Sequence, residues 1–178
     1  LIAGLTVVDT VINIAFIIFG GLSSAVSILI GKRLGANELE EARENAYKLI
    51  AFGMMVSAGI GLILYIAAAY IPYIYNFDET INTTITTLLR IKGCLLPVYV
   101  INVCVFFTLR AGGDTRSTLI MDSGFLWGAS VLISTIISIY FPPSLVVLFI
   151  IVELLDVIKL TVAVYYLRKG TWVKNLTA

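Results

Sequence analysis

Apolar residues fill this chain in long unbroken blocks, and polar residues are confined to short stretches between them. A helix crosses ~30 Å of hydrocarbon with about 20 mostly apolar residues at roughly 1.5 Å each. Five blocks meet that length. The first covers residues 5–30, interrupted by Asp9, and runs into Gly31-Lys32-Arg33. The second, 47–71, begins near Tyr47 and is uncharged from Leu49 to Phe77, with Pro72 expected to mark its exit. The third, 89–109, has Arg90 and Lys92 at its start and Pro97 inside. The uncharged run from Ser123 to Val152 is too long for one span, and Phe141-Pro142-Pro143 divides it into spans at 117–140 and 144–167 with a tight outer turn between them. The expected fold class is an all-α polytopic transmembrane bundle.

Basic residues in the connections set the orientation. Lys32, Arg33, Arg43 and Lys48 lie between spans one and two, Arg110 and Arg116 between three and four, and Arg168, Lys169 and Lys174 in the tail. The other side holds Arg90 and Lys92 beside Asp78 and Glu79. The 31–48 loop, the 110–116 loop and the C-terminus are therefore expected in the cytoplasm, with the N-terminus outside. The chain opens at Leu1 with no basic leader, which reads as a piece beginning in or near a membrane segment.

Local signals refine the connections. Asn37 with Glu40 three residues on suggests a capping box opening a surface helix, supported by Glu40–Arg43 and Glu44–Lys48 pairs. Asp78 is placed to cap the helix that becomes span three, and Asp114 or Thr115 to cap the one after Gly112-Gly113. Asn82-Thr83-Thr84 matches a glycosylation acceptor, a triplet common by chance. Gly20, Gly21, Ser23, Ser24 and Ala25 on span one, and Gly53, Ser57 and Gly61 on span two, are small residues expected to let helices approach closely. Tyr70, Tyr73, Tyr75 and Phe77 read as an interfacial aromatic belt.

Composition agrees with lipid as the solvent: 60% of residues are hydrophobic, 13% are charged, and the mean hydropathy is +1.02. The net charge of +1 says little about partners, because the charges are placed unevenly along the chain, and nucleic acid is not expected as a ligand. The absence of histidine removes imidazole metal sites and His-based triads. Cys94 and Cys104, about 15 Å apart along one helix, cannot bridge. No catalytic constellation appears, so no enzyme is expected.

Acids within spans carry the most information, because a charge at the bilayer centre costs about 2.5–3.5 kcal/mol and is a functional candidate by default. They are Asp9, Asp122, Glu153 and Asp156, with the base Lys159. Glu153 and Asp156 share a helix face, and Asp156 is spaced to pair with Lys159. The reading weighs an internal salt bridge that orients the last helix against a site that couples an ion to a substrate. Lys159 is the one base expected at a span's centre.

Three strings together resemble the multidrug and toxic compound extrusion (MATE) family of cation-coupled transporters: GKRLGANELEEARENA at 31–46, LRAGGDTR at 109–116 followed by Trp127, and WVKNLT at 172–177 preceded by DVIK. The inner-loop residues carrying it include Gly31, Gly35, Arg110, Gly112, Gly113, Asp114 and Arg116. The resemblance implies a two-lobed, twelve-span secondary transporter of which this chain is spans eight to twelve, lacking span seven and the N-terminal lobe. It implies export of amphipathic or cationic small molecules at the plasma membrane, with Na+ or H+ as coupling ion and no other cofactor. Family members place coupling acids on spans seven and ten or in the N-terminal lobe, and the match to span ten here contains no acid, so the coupling site can lie outside this chain. Two other readings stay open: a lipid-linked oligosaccharide flippase of the same superfamily, and a truncated membrane subunit that transports nothing.

Overall fold

The computed structural model of the chain describes residues 2–75, 78–140 and 144–175. Its described residues are helical throughout the predicted blocks. Helix α1 spans Ile2–Gly35 and α2 spans Leu39–Ala67, followed by a 3-10 turn at Ile71–Tyr75 that contains the buried Pro72. Helix α3 spans Glu79–Ala111 and passes through Pro97 without a break. Helix α4, Thr115–Leu119, continues through two π-type stretches, Ile120–Gly124 and Leu126–Val131, into α5, Leu132–Tyr140. Helix α6 spans Leu145–Lys169. In hydrocarbon every backbone N–H and C=O must be satisfied within the segment, so apolar blocks of this length become helices whatever their intrinsic propensities.

Four described helices are long and apolar enough to cross a membrane: those at 4–35, Leu39–Ala67, Glu79–Ala111 and Thr115–Tyr140. The chain is thus a multi-pass membrane protein. Helix α6 has the length of a fifth, but Glu153, Asp156 and Lys159 interrupt its apolar run. The Phe141-Pro142-Pro143 turn and the aromatic Phe77 lie outside the described residues.

Helix α3 is central and packs against α2, α1 and α6, while α1 also packs on α2. The α2–α3 contact is the closest. A Cβ built on Gly61 would stand 2.3 Å from the Gly93 carbonyl oxygen, and one on Gly93 would stand 2.8 Å from that of Gly61. Gly53, Ser57 and Gly61 are all buried, as their spacing along one face predicts, and Gly53 meets Leu22, Val100 and Cys104. Where dispersion replaces the hydrophobic effect as the source of helix association, such backbone-level contact is what a small-residue stripe supplies. Gly20 and Gly21 do not follow the expectation: nothing lies within 4 Å of a Cβ at either. Beyond Met121, no residue of the α4–α5 segment is buried, which leaves it at the edge of the bundle.

The 31–48 connection also differs from its prediction. Asn37 adopts φ 61°, its N–H bonds to the Leu34 oxygen at 3.2 Å, and the Glu38 N–H bonds to the Arg33 oxygen at 3.0 Å. That is a Schellman closure of α1 with Asn37 as its left-handed residue. Asn37 therefore ends one helix instead of capping the next. Glu38 occupies the N-cap position of α2 with no side-chain capping bond, and α2 runs from there into its span without a separate surface helix. Arg33 pairs with Glu38 and, at 2.7 Å, with Glu41, where a Glu40–Arg43 pair was expected. Glu44 and Lys48 do pair, at 2.7 Å and fully in the open. Asp78 sits at the N-cap of α3 but makes no capping bond.

Candidate functional site

Several polar residues of the spans, among them Ser23 of α1, Asn102 of α3 and Asp156 and Lys159 of α6, line one cavity. On α3, Lys92, Tyr99 and Phe106 recur every seven residues, two helical turns, so they form a stripe on one side, with Asn102 beside it. Phe16 of α1 stacks on Tyr99 with ring centroids 4.4 Å apart and planes 12° from parallel. The Lys92 ammonium lies 5.8 Å from the Phe16 centroid and 5.5 Å from that of Tyr99, a distance at which ring faces attract a cation.

Lys92 Nζ donates to Glu153 Oε1 at 2.6 Å, and both side chains are nearly sealed, 10% and 8% exposed. This corrects two expectations. Glu153 is paired across helices with a base of α3, whereas no ion pair joins Asp156 to Lys159. Lys92, expected to flank the outer surface, is a second base inside the bundle. The pair offsets the desolvation of both charges, and Glu153 supplies the counter-charge that a buried Lys92 requires. Further along the same two helices, Asn102 Nδ2 donates to the Asp156 main-chain oxygen at 2.9 Å, giving the α3–α6 seam a second polar tie.

Freed from pairing, Asp156 and Lys159 face a cavity of about 370 Å³. Its wall combines the rings of Phe16, Phe19, Tyr99, Phe106 and Phe107 with the charged groups of Asp156, Lys159 and Asp122. Asp122 reaches it from the first π-type stretch, whose extra residue per turn shifts side chains relative to an α-helix and is a form frequent at functional sites. Asp9 does not line the cavity and is exposed on α1. Sequence reasoning missed Lys92 and Asn102. The seven-residue recurrence of Lys92, Tyr99 and Phe106 on α3 was the signal that could have found Lys92.

The inner-loop motif forms a second polar site. Gly113, at φ 68°, closes α3 by a Schellman arrangement in which the Asp114 N–H reaches the Leu109 oxygen at 3.0 Å. Asp114 then caps α4, accepting from the Ser117 N–H at 3.1 Å and its hydroxyl at 2.8 Å, as predicted. The C-terminal tail folds onto this turn. Gly170, at φ 71°, turns the chain, the Thr171 hydroxyl donates to Asp114, and Trp172 is fully buried with its indole N–H on the Leu167 oxygen at 3.1 Å. A Cβ on Gly112 would stand 2.2 Å from the Trp172 oxygen. Burial pulls the Asp114 carboxyl up, but bonds from Thr171 and Ser117 and the charge of Lys174 outweigh it and hold the group below its ordinary range. Gly31 and Gly35 lie within α1 and make no close approach. Arg110 and Arg116 form no ion pair among the described residues.

A family model described as MatE matches residues 2–123. The chain belongs to the MatE family. Among curated proteins, the MatE chain is 23% identical over 123 residues to the "Uncharacterized transporter YisQ" of Bacillus subtilis, covering 69% of this chain and 27% of that protein. It is 26% identical over 115 residues to "Multidrug resistance protein MdtK" of Yersinia enterocolitica, covering 65% of this chain and 25% of that protein. The matches thus span about a quarter of each relative's length. No solved structure matches the chain significantly. The matched MatE region holds α1 to α3 and the turn with Asp114, while the tail that clasps this turn lies beyond it.

Proposed function

We propose that this chain builds one wall of the transport path of a plasma-membrane antiporter that exports amphipathic, cationic small molecules in exchange for Na+ or H+. The observation that carries this reading is the cavity, in which aromatic rings stand opposite carboxylates free of partners. Its size falls within the few hundred Å³ of small-molecule sites, and the mixture suits a flat cationic ligand. Asp156 and Asp122 are the coupling candidates, since an acid open to the path can exchange a proton or sodium ion for substrate, and each charge crossing 100 mV supplies about 2.3 kcal/mol. Glu153 is withdrawn from that role by Lys92. In the same reading α6 is a fifth span, the five are the last of twelve, and the tail lies in the cytoplasm, where its basic residues favour it.

The flippase alternative is weaker in this geometry. A pyrophosphate groove requires several free bases, and Lys92 is already neutralised, which leaves Lys159. Ethidium efflux by the intact protein in membrane vesicles, under imposed Na+ and H+ gradients, tests the proposal. Efflux driven by at least one gradient is expected, with a loss of about tenfold in the driven rate for Asp156→Asn. Efflux indifferent to both gradients would remove the antiport reading.

A further inference from the structure

One buried polar atom of the cavity wall has no partner. Asn102 is 4% exposed and lines the cavity, and its Oδ1 is sealed from water without a hydrogen bond. Its orientation is not arbitrary. The amide nitrogen donates to the Asp156 main-chain oxygen, and a flipped amide would set two oxygens against each other. The carbonyl end is thereby held away from α6 with its acceptor capacity unused, a state that is costly in a dry interior.

We infer that Asn102 is a specificity-determining residue whose Oδ1 accepts a hydrogen bond from the substrate, and that the cavity selects protonated amines over permanently quaternised cations of the same skeleton. This rests on the reading of the cavity as the substrate site. Aromatic rings and carboxylates attract any organic cation of suitable shape, so they give little discrimination between the two. A quaternary ammonium is also the less hydrated ion and enters an apolar wall more easily. An acceptor held in the wall works against that order, because a cation without N–H leaves Oδ1 unpaired, and Asn102→Leu separates its share from any N–H bond to a carboxylate. Since the oxygen is covered, a side chain of the cavity wall gives way as the ligand seats.

The test is calorimetric binding of imipramine, a protonated tertiary amine at neutral pH, and of its N-methyl quaternary salt to the purified intact protein. The amine is expected to bind about tenfold more tightly. Asn102→Leu should weaken amine binding by about that factor and leave the quaternary salt within twofold, so the selectivity disappears. Equal affinities in the unaltered protein, no binding of either compound, or selectivity that persists in Asn102→Leu each overturn the inference, the last because the N–H would then go to a carboxylate. The unaltered protein decides the matter even if the variant fails to fold. Repeating the titration with Na+ in place of K+ guards against the bare ion as occupant: selectivity abolished by Na+ assigns the oxygen to sodium and also overturns the inference. Ethidium efflux followed in parallel separates the two readings. Efflux without selectivity sinks this inference alone, and selectivity without gradient-driven efflux sinks the antiport reading alone.

Discussion

The seam between α3 and α6 is tied at two levels by opposite means. In the bundle's interior it is held by Lys92 and Glu153, two charges that neither water nor lipid can solvate. At the C-terminal end of α3, where the tail returns, it is held by a clasp of Gly112, Asp114, Thr171 and Trp172. The first tie is strong because its alternative is an isolated charge in a medium that penalises one. The second combines backbone contact, a capping carboxylate and one buried indole, each tolerable if lost. An interior polar contact is therefore nearly all-or-none, whereas the clasp can loosen in steps.

The largest expected effect comes from splitting the interior pair. Glu153→Leu leaves Lys92 buried and uncompensated and should destabilise the intact protein by about 3–5 kcal/mol. Adding Lys92→Met removes the orphaned charge and should restore most of that loss, measured as the thermal midpoint of the purified protein in detergent. A double variant as unstable as the single one would show that the pair acts through shape and not through charge. The contrast between the two ties would then fail.

At the clasp the largest single contact is steric. Gly112→Ala introduces a methyl where the Trp172 backbone already stands, and overpacking of this kind costs about 1–3 kcal/mol. Because the tail can retreat, the expected outcome is release of Trp172 with the bundle intact, read as greater quenching of tryptophan emission and faster proteolysis after Lys169. Melting of the whole protein together with the tail would mean that the clasp is part of the core.

Much of this arrangement was legible in the sequence because hydrocarbon imposes so few solutions. Block length gave the helices, the four-residue spacing of Gly53, Ser57 and Gly61 gave a packing stripe on α2 though not its partner α3, and of the two cap candidates, Asp114 and Thr115, the structure uses Asp114. The errors share a cause. Lys92 was read as lying at the start of the third span, but α3 begins at Glu79, so Lys92 lies several turns inside the helix and not at its mouth. Asp156 and Lys159 were paired by sequence spacing, which cannot show that both side chains line a cavity instead. Asn37 was read forward into α2 when its tolerance of positive φ served the end of α1. Of the candidate site, the acids of α4–α6 were found from their cost in lipid. Asn102 was overlooked because a single neutral amide in an apolar run carries no such signal.

The smallest effect concerns the charge of Asp114, and it separates the clasp from the interior pair by pH. Asp114→Ala removes the cap of α4 and the acceptor for Thr171, a loss of about 1 kcal/mol. The carboxyl's folded pKa lies below its ordinary 3.8, so its ionic contribution is present above that value and declines as pH falls through the lower folded one. Proteolytic release of the tail should therefore differ most between unaltered protein and variant near neutrality, and the difference should narrow below pH 3.8, where protonation begins to mimic the substitution. The decline will be shallow, because a carboxyl half open to water is screened. A gap that stays constant from neutrality through strong acid would assign the clasp to Gly112 and Trp172 alone and leave Asp114 as a cap for α4 with no charge-dependent part in holding the tail.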